Sequence, residues 1–182
     1  MAAASVGAAS VGPMTDTTDN IRDIPLTLND GTDTTLNGIA GGNAVLLVNT
    51  ASQCGLTPQY EGLQALHDAY SAKGLTVVGA PCNQFMGQEP GTDEEIKDFV
   101  CTRFNATFPL LAKLEVNGPG AHPLYRQLTT VADADGEAGD VAWNFEKFLI
   151  TPDGAVAARI RPKTEPQDPT VIAAVDAAVP QA

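Results

Sequence analysis

Basic side chains are scarce in this sequence of 182 residues. It has 10 Lys and Arg against 22 Asp and Glu, which gives a net charge of -12. Binding to nucleic-acid phosphates or to anionic membrane surfaces requires clustered cations. The sequence therefore predicts neither a nucleic-acid partner nor a membrane partner, and we interpret most acidic residues as a solvated surface that aids solubility.

Long apolar runs are missing as well. Ala44–Val48 has the length of a strand, far below the roughly 20 residues that cross a bilayer. Residues 1–20 are mostly small and polar, with neither the basic start nor the long apolar centre of a signal peptide. We therefore expect a disordered tail over 1–20, with translation starting at Met1 or Met14, and one domain over 21–182.

Cysteine and histidine are also rare. Three cysteines, at positions 54, 82 and 101, cannot all pair within one chain. Without a secretory signal they predict reduced or redox-active thiols in a cytoplasmic protein rather than a disulfide framework. The sequence has no C-x-x-C or H-x-x-x-H spacing and its two histidines stand alone, so no metal or other cofactor is predicted.

The order of the predicted elements is that of an α/β domain. Alternating apolar residues from Ile24 to Leu28, followed by the turn Asn29–Gly31, predict an N-terminal hairpin. The later elements are strand Ala44–Thr50, a helix capped by Thr57 and closed by Lys73-Gly74, strand Leu75–Pro81, a helix from the capping box Thr92/Glu95 to about Arg103, strands Phe145–Ile150 and Ala155–Ile160, and a helix over about Pro169–Val179. This order predicts a thioredoxin-like fold, a central mixed sheet flanked by helices, with the hairpin as an addition.

Cys54 lies in the loop between the first buried strand and the helix that follows it. Open α/β sheets bind ligands at the carboxyl ends of their strands, and the N–H groups of a helix N-terminus favour thiolate over thiol. Because position 57 is Thr, a C-x-x-C dithiol is excluded, whereas attack on an electrophile such as a peroxide oxygen remains open. The alternative is a small buried hydrophobic residue.

Four segments resemble signatures of the glutathione peroxidase family, in the version with cysteine in place of selenocysteine. They are Val48–Gly55, Pro81–Gly91, Val116–Tyr125 and Ala142–Leu149. The resemblance extends over roughly residues 24–179, in order and with compatible spacing. It implies a peroxidase that reduces hydrogen peroxide and organic hydroperoxides.

The resemblance also implies a catalytic group of Cys54, Gln88, Trp143 and Asn144. A thiolate that attacks an O–O bond needs donors for its own charge and then for the departing oxygen. An indole N–H and two amides supply neutral donors. The alternatives are an aromatic core anchor for Trp143 and ordinary turn or strand-end capping for the two amides, and Gln84 is a second candidate donor that fits a scaffold position better.

Two positions depart from the family pattern. Ala80 stands where the family usually has Phe, and Met86 stands where it usually has Gly. We expect the first to leave room near a strand end and the second to place a thioether close to the peroxide site. We expect both departures to affect the size of the peroxide substrate that the site accepts.

Cys101 does not belong to the apolar stripe of its predicted helix. Ile96 and Val100 share that stripe, and an advance of about 100° per residue turns Cys101 away from it. The segment Phe99–Phe104 resembles the resolving-cysteine segment of the thioredoxin-dependent branch of the family, which implies that Cys101 is the resolving thiol. A tolerated surface cysteine is the alternative, and Cys82, at a strand end, is interpreted as a packing residue with a resolving role as its alternative.

The predicted reaction has three steps. The Cys54 thiolate displaces water or an alcohol from the hydroperoxide and becomes a sulfenic acid, Cys101 forms a disulfide with it, and thioredoxin reduces that disulfide. The alternatives are a one-cysteine enzyme reduced by glutathione and a peroxide sensor that passes its disulfide to a client protein. The short segment Thr129–Val141 leaves little room for the oligomerisation loop of tetrameric relatives, so the resemblance implies a monomer.

Overall fold

The computed structural model describes residues 20–180. Its strands are β1 Leu26–Thr27, β2 Asp33–Thr34, β3 Ala44–Thr50, β4 Leu75–Pro81, β5 Lys147–Ile150 and β6 Val156–Ile160. Its helices are α1 Leu36–Ala40, α2 Gln59–Tyr70, α3 Asp93–Phe104, α4 Pro123–Leu128 and α5 Pro169–Ala178, with 3-10 turns at Ile21–Asp23 and Ser71–Lys73. The predicted tail lies outside the described residues except for Asn20, which caps the first 3-10 turn. No helix within this range is long and apolar enough to cross a membrane.

A four-stranded mixed sheet forms the centre, in the order β4-β3-β5-β6. Strand β3 pairs in parallel with β4 and antiparallel with β5, which in turn pairs antiparallel with β6. Strands β1 and β2 form a separate antiparallel hairpin. The mixed sheet and the additional N-terminal hairpin are as predicted from the sequence.

The two faces of the sheet are covered by different helices. Alternate residues of a strand point to opposite faces, so Val45 and Leu47 pack with the hairpin, α1 and α4. Leu46 and Val48 pack with α2, α3 and α5 on the other face. Because both faces are covered, every residue of β3 and β4 is buried, which explains the continuous apolar runs in the sequence.

The prediction that Thr57 caps α2 is wrong. The helix begins at Gln59, and Pro58 precedes it without any side-chain cap. The Thr57 hydroxyl instead accepts the Cys54 N–H at 2.9 Å and donates to the Ala51 carbonyl at 2.9 Å. Because the Thr57 hydroxyl forms its hydrogen bonds within the preceding loop, it is not available to cap the N–H groups of the helix.

A buried ion pair anchors the long connection between α4 and β5. Arg159 Nε lies 2.7 Å from Glu146 Oε2, and both side chains are fully buried. The remaining guanidinium N–H groups donate to backbone carbonyls of the connection, those of Val131, Gly139 and Asp140. The ion pair therefore holds residues 129–141 against the sheet.

We expect Arg159→Met to lower the free energy of unfolding by about 3–5 kcal/mol, because it removes one of the two cations that pair with the buried Glu146 and leaves several carbonyls without their donor. Urea unfolding measures this loss. Lys163→Met is the matched control, because Lys163 is exposed, and it should change stability by less than about 0.5 kcal/mol. Equal effects of the two substitutions would contradict the anchoring role of the pair.

Candidate functional site

Three segments meet at one edge of the sheet. The parallel strands β3 and β4 end together, with Thr50 paired to Pro81. Strand β5 runs the other way and pairs its first residue, Lys147, with Val48. The residues after β3, after β4 and before β5 therefore share this edge, and these are the segments that contain Cys54, Gln88 and the pair Trp143 and Asn144.

The Cys54 loop, residues 51–57, surrounds the sulfur with backbone donors. The Leu56 N–H donates to Cys54 Sγ at 3.3 Å, and the Cys54 N–H is held by Thr57 as described above. The sulfur is half-buried and lies just before the N-terminus of α2. The loop and the start of α2 therefore hold the sulfur in one position at this edge of the sheet.

Gln88 and Asn144 are joined by a direct hydrogen bond. Asn144 Nδ2 donates to Gln88 Oε1 at 2.9 Å, and the Gln88 carbonyl accepts the Gln53 N–H at 3.0 Å. The bond leaves the Gln88 amino group without a hydrogen bond among residues 20–180, so it can donate to a ligand. The structure thus brings these predicted site residues together beside the Cys54 loop.

Trp143 lies on the same side of the molecule, half-buried rather than enclosed in the core. Its ring packs on Phe85, with 5.5 Å between the ring centroids. Its indole N–H makes no hydrogen bond within residues 20–180. A packed ring with an unused donor can contribute that donor to a bound ligand.

Gln84, the second candidate donor, is fully engaged in the scaffold. Its Oε1 accepts the N–H groups of Val116 at 2.7 Å and Asn117 at 3.1 Å. Its Nε2 donates to Glu115 Oε1 and to the Asn117 carbonyl. The side chain therefore ties the turn after β4 to a neighbouring loop, in agreement with the scaffold interpretation.

The turn after β4 also holds Met86 in an unusual conformation. Its φ is +59°, a left-handed value that favours glycine. Its side chain is 79% exposed, on the same turn as Gln88. In the chain, Met86 thus lies between Phe85, whose ring packs on Trp143, and Gln88, which binds Asn144, and its thioether is exposed to solvent.

Asn49 is a site residue that sequence reasoning missed. It lies in β3, fully buried, and its Nδ2 donates to the Trp143 carbonyl at 3.1 Å. Its Oδ1 accepts the Glu146 N–H at 3.1 Å, and its own carbonyl accepts the Phe145 N–H at 2.7 Å. This side chain fixes the segment 143–146 to the central strand. A lone amide in an otherwise apolar buried run was the signal that could have identified it.

Cys101 and Cys82 occupy different surroundings. Cys101 is exposed in the last turn of α3, as its place off the apolar stripe predicted, and its Sγ lies 3.8 Å from the Ala106 carbonyl. Cys82 is fully buried, and burial raises the pKa of its thiol. All three cysteines are free. A disulfide between Cys54 and Cys101 requires their Cα atoms to lie within about 7 Å of each other.

Comparison with known proteins gives a consistent result. The family model described as glutathione peroxidase matches residues 22–129. The chain is 53% identical over 154 residues to hydroperoxy fatty acid reductase Gpx2 of Synechocystis sp., covering 85% of this chain and 96% of the relative. It is 46% identical over 169 residues to the thioredoxin/glutathione peroxidase BtuE of Escherichia coli, covering 82% and 92%.

Solved structures agree with the thioredoxin-like prediction. The apo crystal structure of Trgpx is 34% identical, with a TM-score of 0.68 over 88% of this chain and 97% of that one. The crystal structure of T. cruzi GPX1 is 32% identical, with a TM-score of 0.67 over 87% and 97%. The predicted fold class is thereby confirmed.

We expect Asn49→Leu to lower the free energy of unfolding by about 2–4 kcal/mol, because the Trp143 carbonyl and the Glu146 N–H lose their buried partner. Trp143 is the single tryptophan of the chain, so its fluorescence emission also reports a displaced segment. Asn43→Leu is the matched control, since within residues 20–180 the Asn43 side chain makes one hydrogen bond, to Thr76 Oγ1, just before the other end of β3. An unshifted emission in Asn49→Leu would show that the amide does not position the segment.

Proposed function

The chain belongs to the glutathione peroxidase family and is a peroxidase, and we propose that it works through oxidation of Cys54 to a sulfenic acid. Hydrogen peroxide and organic hydroperoxides are the proposed substrates. The observation that supports this most directly is the hydrogen bond between Asn144 and Gln88. It assembles two distant amides beside a cysteine whose sulfur already accepts a backbone N–H.

In the first step, the Cys54 thiolate attacks one oxygen of the hydroperoxide. The O–O bond breaks, an S–O bond forms, and the departing oxygen takes a proton and leaves as water or an alcohol. The Gln88 amino group and the Trp143 indole N–H are the proposed donors to the oxygens as charge develops on them. The role of Asn144 is to orient Gln88 by occupying its carbonyl oxygen.

In the second step, the Cys101 sulfur attacks the sulfenic sulfur and displaces water, giving a disulfide. Exposure of Cys101 supports this assignment, and the complete burial of Cys82 argues against it as the partner. Cys101 lies in the final turn of α3, which is closed by backbone hydrogen bonds from Asn105 and Ala106. Helix ends open at low free-energy cost, so the proposed movement begins there.

An external dithiol, thioredoxin, is the proposed reductant, with glutathione as the alternative. The name of the Escherichia coli relative mentions both. A dithiol fits a protein disulfide, because its second thiol releases the mixed disulfide without a third molecule. We also propose a monomer, since the connection 129–141 is folded back onto its own sheet by Arg159. The three free cysteines are consistent with the proposed location in the cytoplasm.

Cys54→Ser should abolish peroxide reduction with thioredoxin and with glutathione, because a hydroxyl is not ionised at neutral pH and cannot accept the peroxide oxygen. Coupled NADPH oxidation measures turnover, and circular dichroism verifies the fold. Gln53→Ala changes the exposed neighbouring side chain of the loop, keeps its backbone N–H and should retain turnover. Activity of Cys54→Ser above a few per cent of the parent would refute the proposed function.

Cys101→Ser should consume one equivalent of peroxide at close to the normal rate and then stop, with Cys54 trapped as sulfenic acid or over-oxidised. Thioredoxin-driven turnover should collapse, whereas Thr102→Ser, on the neighbouring exposed position, should not affect it. Mass mapping of oxidised parent protein should find Cys54 linked to Cys101. Linkage of Cys54 to Cys82, or undiminished turnover of Cys101→Ser, would contradict the resolving role.

A further inference from the structure

A cluster of buried polar oxygens lies beneath the Cys54 loop and has no part in the mechanism proposed above. It comprises Thr50 Oγ1, Ser52 Oγ, Tyr60 Oη and Glu89 Oε2, each buried and without a hydrogen bond of full geometry within residues 20–180, while Thr50 lies within interaction range of Tyr60 and Ser52 of Glu89. The four side chains come from the end of β3, the loop, α2 and the turn after β4. Orphaned buried polar atoms are costly, so their concentration behind one cysteine calls for a functional reason.

Glu89 connects this cluster to the loop. Its Oε1 accepts the Ser52 N–H at 3.1 Å, while the carbonyl of the preceding Gln88 accepts the Gln53 N–H at 3.0 Å. Its own N–H donates to Asn83 Oδ1 at 2.8 Å, which closes the turn. Two consecutive residues of the turn therefore hold the two residues that precede Cys54.

The surroundings of Glu89 favour a neutral carboxyl group. Its side chain is fully buried and forms no ion pair with any basic group among residues 20–180. Burial raises the pKa of the Glu89 carboxyl, and the hydrogen bonds from Ser52 and the charge of Lys113 oppose this only in part. As a neutral acid, its Oε2–H could donate to one of the orphaned hydroxyls, whereas a carboxylate could only accept.

Other titratable groups face Glu89 from each neighbouring element. Tyr60 on α2 and Cys82 at the end of β4 interact with its charge, and burial raises the pKa of both. Glu95 on α3 lines the same cavity of about 420 Å³, together with Ser52 and Glu89. None of these three neighbours supplies a positive charge to a Glu89 carboxylate.

We propose that Glu89, as a neutral carboxylic acid, is a positioning residue for Cys54 that holds the loop through the Ser52 N–H. This inference rests on the proposed function of Cys54. Without this bond the loop loses one of its two attachments to the turn after β4, and the Cys54 sulfur is no longer kept opposite the Leu56 N–H. A neutral holder also avoids placing a buried negative charge beside the thiolate.

The test uses Glu89→Leu and Glu89→Gln in a Cys101→Ser background, in which the accessible thiol is that of Cys54. Oxidation by one equivalent of hydrogen peroxide and alkylation by iodoacetamide across pH 5–9 give its reactivity and its thiol pKa. Glu89→Leu should slow both reactions by about tenfold and raise the thiol pKa, the loss expected for one buried hydrogen bond. Glu89→Gln should retain at least about a third of the parent rates, because an amide oxygen also accepts the Ser52 N–H.

Glu94→Gln is the matched control, the same substitution at an exposed acid on α3, and it should alter neither rate. Parent rates in folded Glu89→Leu, or an equal loss in Glu89→Gln, would overturn the proposal. Should Glu89→Leu fail to fold, Glu89→Asp replaces it in the test, because the shorter carboxyl cannot reach the Ser52 N–H. Parent rates in Glu89→Asp would also overturn the proposal. If the parent itself does not react with peroxide, the proposed function fails, whereas the alkylation rates still test Glu89.

Stability provides the second measurement, with a defined sign. A carboxyl whose pKa is raised in the folded state loses stability as pH rises from its unfolded pKa through its folded pKa. Glu89→Gln should therefore match the parent in urea midpoint near pH 4 and exceed it increasingly as pH rises. A lower midpoint of Glu89→Gln at pH 8 would show that Glu89 is held as a carboxylate, contrary to the proposal.

Discussion

The buried amide of Asn49 joins the central strand to the segment that precedes β5, through both of its side-chain atoms and through its backbone. Strand pairing alone places Lys147 opposite Val48, but it does not determine the path of the residues before it. Asn49 determines that path, since its side chain donates a hydrogen bond to the Trp143 carbonyl and accepts one from the Glu146 N–H. The left-handed φ of +69° at the buried Phe145 is held by the same contacts. The position of Trp143 and Asn144 beside the Cys54 loop depends on this one side chain.

Other buried polar groups serve the same purpose at the edges of the sheet. Arg159 holds the connection after α4, and the ammonium of Lys147 donates to the carbonyls of Phe145, Pro162 and Thr164 at 2.6–3.0 Å. In both cases a buried cation is matched by acceptors from loops that have no regular partners of their own. Glu89 differs because its neighbours offer no cation in contact. Such a group is favoured in its neutral form, which is why a carboxyl rather than an ion pair supports the Cys54 loop.

Helix α3 is capped differently at its two ends. Its N-terminus has a reciprocal capping box between Thr92 and Glu95, and acidic residues in the first turn complement the helix dipole. Its C-terminus ends at Asn105 with a left-handed backbone and is closed by the backbone N–H groups of Asn105 and Ala106. The proposed resolving thiol therefore lies at the end opposite the capping box, away from the turn that contains Gln88 and Glu89.

The sequence by itself determined the elements whose signals are local. The bounds of β3 and β4, the capping box of α3 and the exposure of Cys101 follow from apolar runs, cap residues and helical periodicity within a few positions, and the motif order identified the family. The tertiary structure decided the cap of α2, where Thr57 serves the loop instead, and the start of β5 at Lys147 rather than Phe145. It also decided the roles of Asn49 and Glu89, whose hydrogen bonds join residues 94 and 37 positions apart. A side chain's partner at such separation depends on how the strands are ordered in the sheet, and no local pattern specifies that order.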